Sequence, residues 1–215
     1  MDDLAMLRSL AGAYARRSPV RRIAVVANAP LVPSAERAEA IDSSDLVFRT
    51  NGFALDTPDG PAAVGTRADV VAFTRGMRAT PWVFRDYRDR LYLLVEPGRM
   101  HWEPEIVPDW WPPDLGHVPV PNREITLGLS EALGIDTVTY PNWATTGTMA
   151  AWLARSLFPD AELHLTGFSV IDEPAQTSWA HAYGEPCKIS AEHMLDRESA
   201  LLRGWMDDGI ATVHR

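Results

Sequence analysis

The residues of this chain best suited to chemistry fall into short groups. His193 and Glu198 stand together in HMLDRE, and His181 and Tyr183 in HAY. Thr145, Thr146 and Gly147 form a small polar run, while Asn28 and Asn51 each end an apolar one. A neutral imidazole can take a proton near neutral pH, and a second beside a phosphate can donate a hydrogen bond or carry a charge. Thr-Thr-Gly ahead of the good helix formers Met149 to Leu157 marks a helix start, whose unpaired N–H groups and positive dipole end attract an anion. Asparagine amides both donate and accept, so Asn28 and Asn51 can hold a ribose, a phosphate or a pyrimidine edge without adding charge. Each group also has an ordinary structural role open to it, as turn asparagine, N-cap threonine or solvated histidine.

The helix pattern around His193 shapes its expected chemistry. Ser190 is a candidate N-cap, which puts His193 in the first turn of a helix over 191–206, where the dipole disfavours the imidazolium and keeps a base available. Glu198 lies five positions on, about 140° round an ideal helix, so it does not share the face of His193 and is expected to anchor the helix to a loop.

These groups need a scaffold that gathers them. Asn28 stops the run Val25–Ala27 and is followed by Pro30 and Pro33; Asn51 stops Leu46–Arg49 in the same way. In open α/β sheets ligands bind at the carboxyl ends of strands, so two strands ending on amides suggest one site. Ala27-Asn28-Ala29 stands where a dinucleotide fold carries glycines, so the binding chemistry falls to the Asn28 side chain. Strands are expected at 23–27, 46–49, 69–73, 91–95, 137–139 and 163–166, and helices at 3–16, 34–40, 123–133, 148–157 and 191–206. This alternation predicts one α/β Rossmann-like domain over 1–215, a mostly parallel sheet with helices on both faces. Between 96 and 121 the texture turns to tryptophan, proline and acid, with Trp102, Trp110 and Trp111. That stretch reads as a long ordered loop, either covering a sheet edge or walling an acceptor site.

Composition narrows the function. A formal charge of −9, from 29 acidic against 20 basic residues, speaks against nucleic acid or a membrane surface as partner. No run approaches a transmembrane span, and the lone Cys187 permits no internal disulfide, as expected of a cytoplasmic protein. No Asp-x-Asp triplet is present, so neither a metal nor another cofactor is expected.

The ordered set of motifs resembles the animal-type sialyltransferase family, as a short, bacterial-like member. Asn28, Ile41-Asp42 with Asp45, Arg49 with Asn51, and Val64-Gly65 with Arg67 follow its large sialylmotif. Pro141, Thr145-Thr146-Gly147 and Gly167-Phe168 follow the small one, His181 to Tyr183 the third, and His193 with Glu198 the very small one. The resemblance implies a GT-A-like variant fold and inverting, metal-independent transfer of sialic acid from a CMP-activated donor to an unidentified acceptor hydroxyl. It implies His193 as base and His181 at the leaving phosphate, with Glu198 as support. Asn28, Asn51, Arg49, Thr145, Thr146, Gly147, Gly167, Phe168 and Tyr183 are then the residues around the donor. The chain departs from the pattern: the family's disulfide between large and small motifs is impossible with one cysteine, and the usual Gly-Asn-Ser is Ala27-Asn28-Ala29. Open beside this reading stand a Kdo-type transferase, a CMP-sugar hydrolase and a non-catalytic cytidine-nucleotide-binding module.

Overall fold

Strands that carry Val, Leu, Ile and Phe at successive positions have no solvent face, and they are stable only where helices or loops cover both sides of the sheet. In the computed structural model, which describes residues 3–96, 107–184 and 186–215, seven strands lie side by side, the central ones of this apolar kind. They are β1 (Arg22–Val26), β2 (Leu46–Thr50), β3 (Val70–Phe73), β4 (Leu91–Leu94), β5 (Val118–Pro119), β6 (Glu162–Thr166) and β9 (Ala211–His214). All neighbours are parallel, in the order β5-β4-β3-β2-β1-β6-β9. A separate antiparallel hairpin joins β7 (Ser178–Ala180) to β8 (Pro186–Lys188). This is the single α/β domain that the alternation of elements predicts.

Alternate residues of each strand face opposite layers. Ile23, Val25, Leu46, Phe48, Val70, Ala72, Leu163 and Leu165 join one large core with α1 (Asp3–Gly12), α3 (Leu127–Leu133), α4 (Thr146–Leu157) and α6 (Leu195–Asp207). On the other face Ala24, Val26 and Val47 meet Ile41 of α2 (Ala35–Asp42). Further along that face, Val71, Phe73, Tyr92 and Leu94 pack under loop residues such as Phe53 and Trp111. The short α5 (Ser169–Asp172) follows β6 directly. No helix among the described residues is long and apolar enough to cross a membrane.

Several expectations are corrected. Residues 137–139 form a turn, because the Asp136 carboxylate accepts the N–H groups of Val138 and Thr139 at 3.0 and 2.8 Å. Such side-chain capture of nearby amides competes with strand pairing. Strands β5 and β9 and the β7–β8 hairpin are additions to the expected set, too short or too polar to stand out by periodicity. Helix α6 starts at Leu195, not at 191, since Met194 has φ −102° and ψ 71° and is not helical. In the tryptophan-rich stretch, residues 97–106, including Trp102, lie outside the described residues. Trp111 is buried and stacks on Phe73 at 4.7 Å, with Tyr92 and His117 at its edges, so this part covers the sheet.

Candidate active site

The chain runs from β1 outward to β5 and then returns to lay β6 on the other side of β1. The strand order therefore reverses between β1 and β6, and the crevice at the carboxyl ends of such strands is where open α/β sheets bind ligands. A cleft of about 830 Å³ opens there. Asn28, Asn51, Thr145, Thr146, Gly147, Gly167, Phe168, His181, Tyr183 and His193 all border it, so residues dispersed over 165 positions of sequence share one space.

The two asparagines use their amides differently. Asn51 sits at φ 49°, a left-handed conformation that asparagine tolerates better than most residues. Its Nδ2 donates to Thr146 Oγ1 at 2.9 Å, and its Oδ1 accepts the Thr74 N–H at 2.9 Å, so one side chain ties the ends of β2 and β3 to the start of α4. Asn28 Nδ2 donates to the Thr50 carbonyl at 2.7 Å, while its Oδ1 accepts no hydrogen bond among the described residues. Asn28 thus brings an acceptor to the cleft, and Asn51 holds its walls together.

Helix α4 begins at the cleft. Thr145 is its N-cap, with φ −60° and ψ 154°, and its Oγ1 accepts the Thr148 N–H. The amides of Thr146 and Gly147 carry no hydrogen bond among the described residues, which leaves them for an anion. Glu198 anchors the cap from across the fold. Its wholly buried carboxylate accepts the Thr145 N–H at 3.0 and 3.1 Å and the Thr145 hydroxyl at 2.7 Å. Burial pushes its pKa above the usual carboxylate range, against these hydrogen bonds and the nearby His193, which favour the ionised form.

His193 and Glu198 work on the same tripeptide from the two ends of a bent segment. His193 Nδ1 lies 3.0 Å from the Trp143 carbonyl, and the Trp143 N–H donates to the Glu192 carbonyl at 3.2 Å. A carbonyl oxygen only accepts, so Nδ1 carries the hydrogen and neutral His193 keeps its lone pair on Nε2. The dipole effect expected for a first-turn histidine does not arise, because His193 precedes α6; the hydrogen bond, and not the helix, selects the tautomer. His193 and Glu198 thus act together as a clasp round Trp143–Thr145, which explains why they need not share a helix face.

His181 and Tyr183 come from the turn between β7 and β8, seated against β1 by the Ala182 N–H donating to the Asn28 carbonyl at 2.8 Å. Their rings stack in parallel, 4.8 Å between centroids and 5° between planes. Partial burial, reinforced by the charge of Arg78, depresses the His181 pKa below its ordinary value. In the free protein this favours the uncharged imidazole, and with it the role of hydrogen-bond donor.

Gly167 is required by close approach: it has φ 72°, and a Cβ there would lie 2.7 Å from the Ala27 carbonyl oxygen. At Gly147 a Cβ would press on the Phe168 ring at 3.3 Å, so that ring would have to give by a few tenths of an ångström. Arg49 corrects the expected donor set. It is buried within β2 and does not line the cleft; its Nε donates to the Arg67 carbonyl at 2.8 Å and an Nη to that of Val64 at 2.6 Å. Burial pushes its pKa down to about 10, partly offset by Asp42 and Asp56, so it remains charged at neutral pH. The cleft also holds residues that sequence reasoning passed over: Thr74, Arg75, Arg78, Trp143 and Trp179. The run Thr74 to Arg78 follows β3 as Asn51 follows β2, and that strand-end rule could have found it. Trp179 carries no local signal; it enters through the hairpin and stands 6.1 Å from the His193 ring. Among the described residues no three His, Cys, Asp or Glu side chains are grouped to hold a metal ion.

No protein-family model matches the chain, and no curated protein matches it in sequence. Solved structures do. A mammalian sialyltransferase superposes with a TM-score of 0.58 at 18% identity, covering 91% of this chain and 69% of that one. A mammalian sialyltransferase in complex with Gal-beta-1-3GalNAc-ortho-nitrophenol gives a TM-score of 0.57 at 17% identity, with the same coverage. At this level of identity the shared property is the fold.

Proposed function

We propose that the chain is an inverting, metal-independent glycosyltransferase that moves sialic acid, or a closely related acidic sugar, from a CMP-activated donor to an acceptor hydroxyl. The observation that carries this reading is the state of His193, whose Nδ1–H is committed to the Trp143 carbonyl so that Nε2 offers a lone pair in the same cleft as an open helix start. The sialyltransferase-like fold and the ordered motifs support the choice of sugar, and a neighbour bound to a disaccharide derivative supports a glycan as acceptor.

The chemistry follows from the groups present. The acceptor O–H donates to His193 Nε2; as its oxygen bonds to the anomeric carbon, the bond from that carbon to phosphate breaks and its electron pair leaves with CMP. Attack opposite the leaving group inverts the centre, and the proton stays on His193. The amides of Thr146 and Gly147 and the N–H of neutral His181 meet the growing charge on phosphate. Asn28 Oδ1 accepts from the nucleotide.

The test is to incubate the protein with a panel of CMP-activated sugars and read free CMP, with and without glycan acceptors and with EDTA. Acceptor-dependent release that survives EDTA is expected. Release without acceptor would make the protein a hydrolase, and loss in EDTA restored by magnesium or manganese would remove metal independence. No release from any member of the panel would remove the transferase reading.

A further inference from the structure

We propose that Trp179 is the platform for the acceptor: the C–H face of a terminal pyranose stacks on its indole, which sets one sugar hydroxyl against Nε2 of His193. The inference rests on the CMP-sugar reading of the cleft. A base acts on an oxygen held within hydrogen-bond reach, about 3 Å, and in a fixed orientation. The groups assigned so far answer to the donor. The Thr146 and Gly147 amides and the Asn28 side chain meet the nucleotide, Phe168 lies beside Gly147 at the same helix start, and the His181 and Tyr183 rings cover each other. The acceptor needs a surface of its own next to His193.

Trp179 supplies one. It borders the cleft, and its ring centroid stands 6.1 Å from that of His193 with the planes inclined at 48°, so the imidazole does not lie flat on the indole and seal its face. Both rings are held in place. His193 Nδ1 is fixed at the Trp143 carbonyl, 3.0 Å away, and Trp179 is paired across the hairpin with Cys187, where the Ile189 N–H also closes on the Thr177 carbonyl at 3.1 Å. Of the six strand residues of the hairpin, the five others are exposed, while Trp179 is half-buried and rests on the main core. Its Nε1–H has no hydrogen-bond partner among the described residues. The indole therefore offers a flat, polarisable face and one N–H at its rim. A pyranose matches both, with a row of C–H groups on one face and hydroxyls around the edge. In a galactopyranose the ring hydrogens at carbons 3, 4 and 5 share a face, whereas an acyclic polyol has no such face.

Saturation-transfer NMR with methyl β-galactopyranoside in the presence of CMP, beside calorimetry with CMP alone, tests this on the wild type, Trp179→Leu and Trp179→Phe. Irradiating the aromatic resonances of the wild type should saturate the sugar hydrogens at carbons 3, 4 and 5 most strongly. Trp179→Leu keeps an apolar group to seat the hairpin on the core but has no flat face. It is expected to lose that pattern, with galactoside affinity down by about 10- to 100-fold and CMP affinity unchanged. Trp179→Phe keeps a face and should retain part of both. Equal behaviour of the two variants would overturn the inference, since packing and not a flat face would then matter. Loss of CMP affinity along with the sugar signal would overturn it as well, marking an indole that merely seats the hairpin carrying His181 and Tyr183. A wild type that binds CMP but shows no preference among the sugar hydrogens would overturn it and leave the donor reading standing. A wild type that binds no CMP would instead remove the nucleotide reading of the cleft, and the acceptor platform with it.

Discussion

The loop over 54–69 and the cleft at the strand ends are both rich in polar motif residues, yet they are wired in opposite ways. In the loop the buried polar groups of the motif residues are spent on the protein itself. Asp56 accepts the N–H groups of Ala63, Val64 and Gly65, Asp42 those of Thr66 and Arg67, and Arg49 donates to the Val64 and Arg67 carbonyls. In the cleft, bonding capacity is left over: Asn28 Oδ1, the amides of Thr146 and Gly147, and Nε2 of His193. Residues of one type in one ordered motif set therefore do two jobs, and surplus hydrogen-bonding capacity facing a cavity separates them. A buried polar group left unmatched costs free energy, so a concentration of such surplus facing one cavity points to a ligand or water that uses it.

That contrast can be broken most sharply at His193. If it takes the acceptor proton in the transition state, His193→Ala should lower turnover by roughly 10²- to 10⁴-fold while CMP affinity stays near that of the wild type. Steady-state kinetics beside calorimetry decides it, provided the variant melts cooperatively. Near-normal turnover would return His193 to the spent class, as a clasp on Trp143 alone.

A reciprocal pair comes next. Arg49→Met removes the donor from two carbonyls under the sheet and is expected to cost about 2–4 kcal/mol in urea unfolding, with CMP affinity of the folded protein unchanged. Asn28→Ala should do the reverse, weakening CMP by about 1–3 kcal/mol with a smaller loss of stability. If Arg49→Met weakens CMP selectively, or Asn28→Ala leaves it untouched, the division between loop and cleft fails.

The smallest effect concerns pH. In the free protein the His181 pKa lies below its ordinary value through burial and Arg78, and a bound phosphate draws it upward. Binding therefore takes up a proton between the two values, so the His181 contribution to CMP affinity grows as pH falls from neutral towards the free-protein pKa. The gain should be a few-fold, under about 1.4 kcal/mol, and absent from His181→Gln. Comparing the two proteins cancels the ionisation of CMP itself. Identical pH profiles would mean that His181 does not meet the phosphate.

Much of this was legible in one dimension because it rests on local rules. Burial on both faces makes β1, β3 and β4 apolar runs and keeps the start of β2 apolar, and the first strand-end amides mark the carboxyl edge of the sheet. A threonine before small residues and good helix formers marks the start of α4. Other features depend on contacts between distant segments, which local pattern does not encode. Asp136 diverted 137–139 into a turn. Met194 stopped the helix short of His193, so a carbonyl 50 residues away, and not a dipole, fixed the imidazole tautomer. Arg49 and Asn51, two positions apart, meet different fates because Arg49 lies inside β2 and is buried, while Asn51 follows the strand in a left-handed conformation at the cleft. The residue types of the site were thus determined by the sequence alone. Which of them kept a free lone pair or N–H was decided only when the fold assigned partners to the rest, since a hydrogen-bonding group is available to a ligand only if no other part of the chain has claimed it.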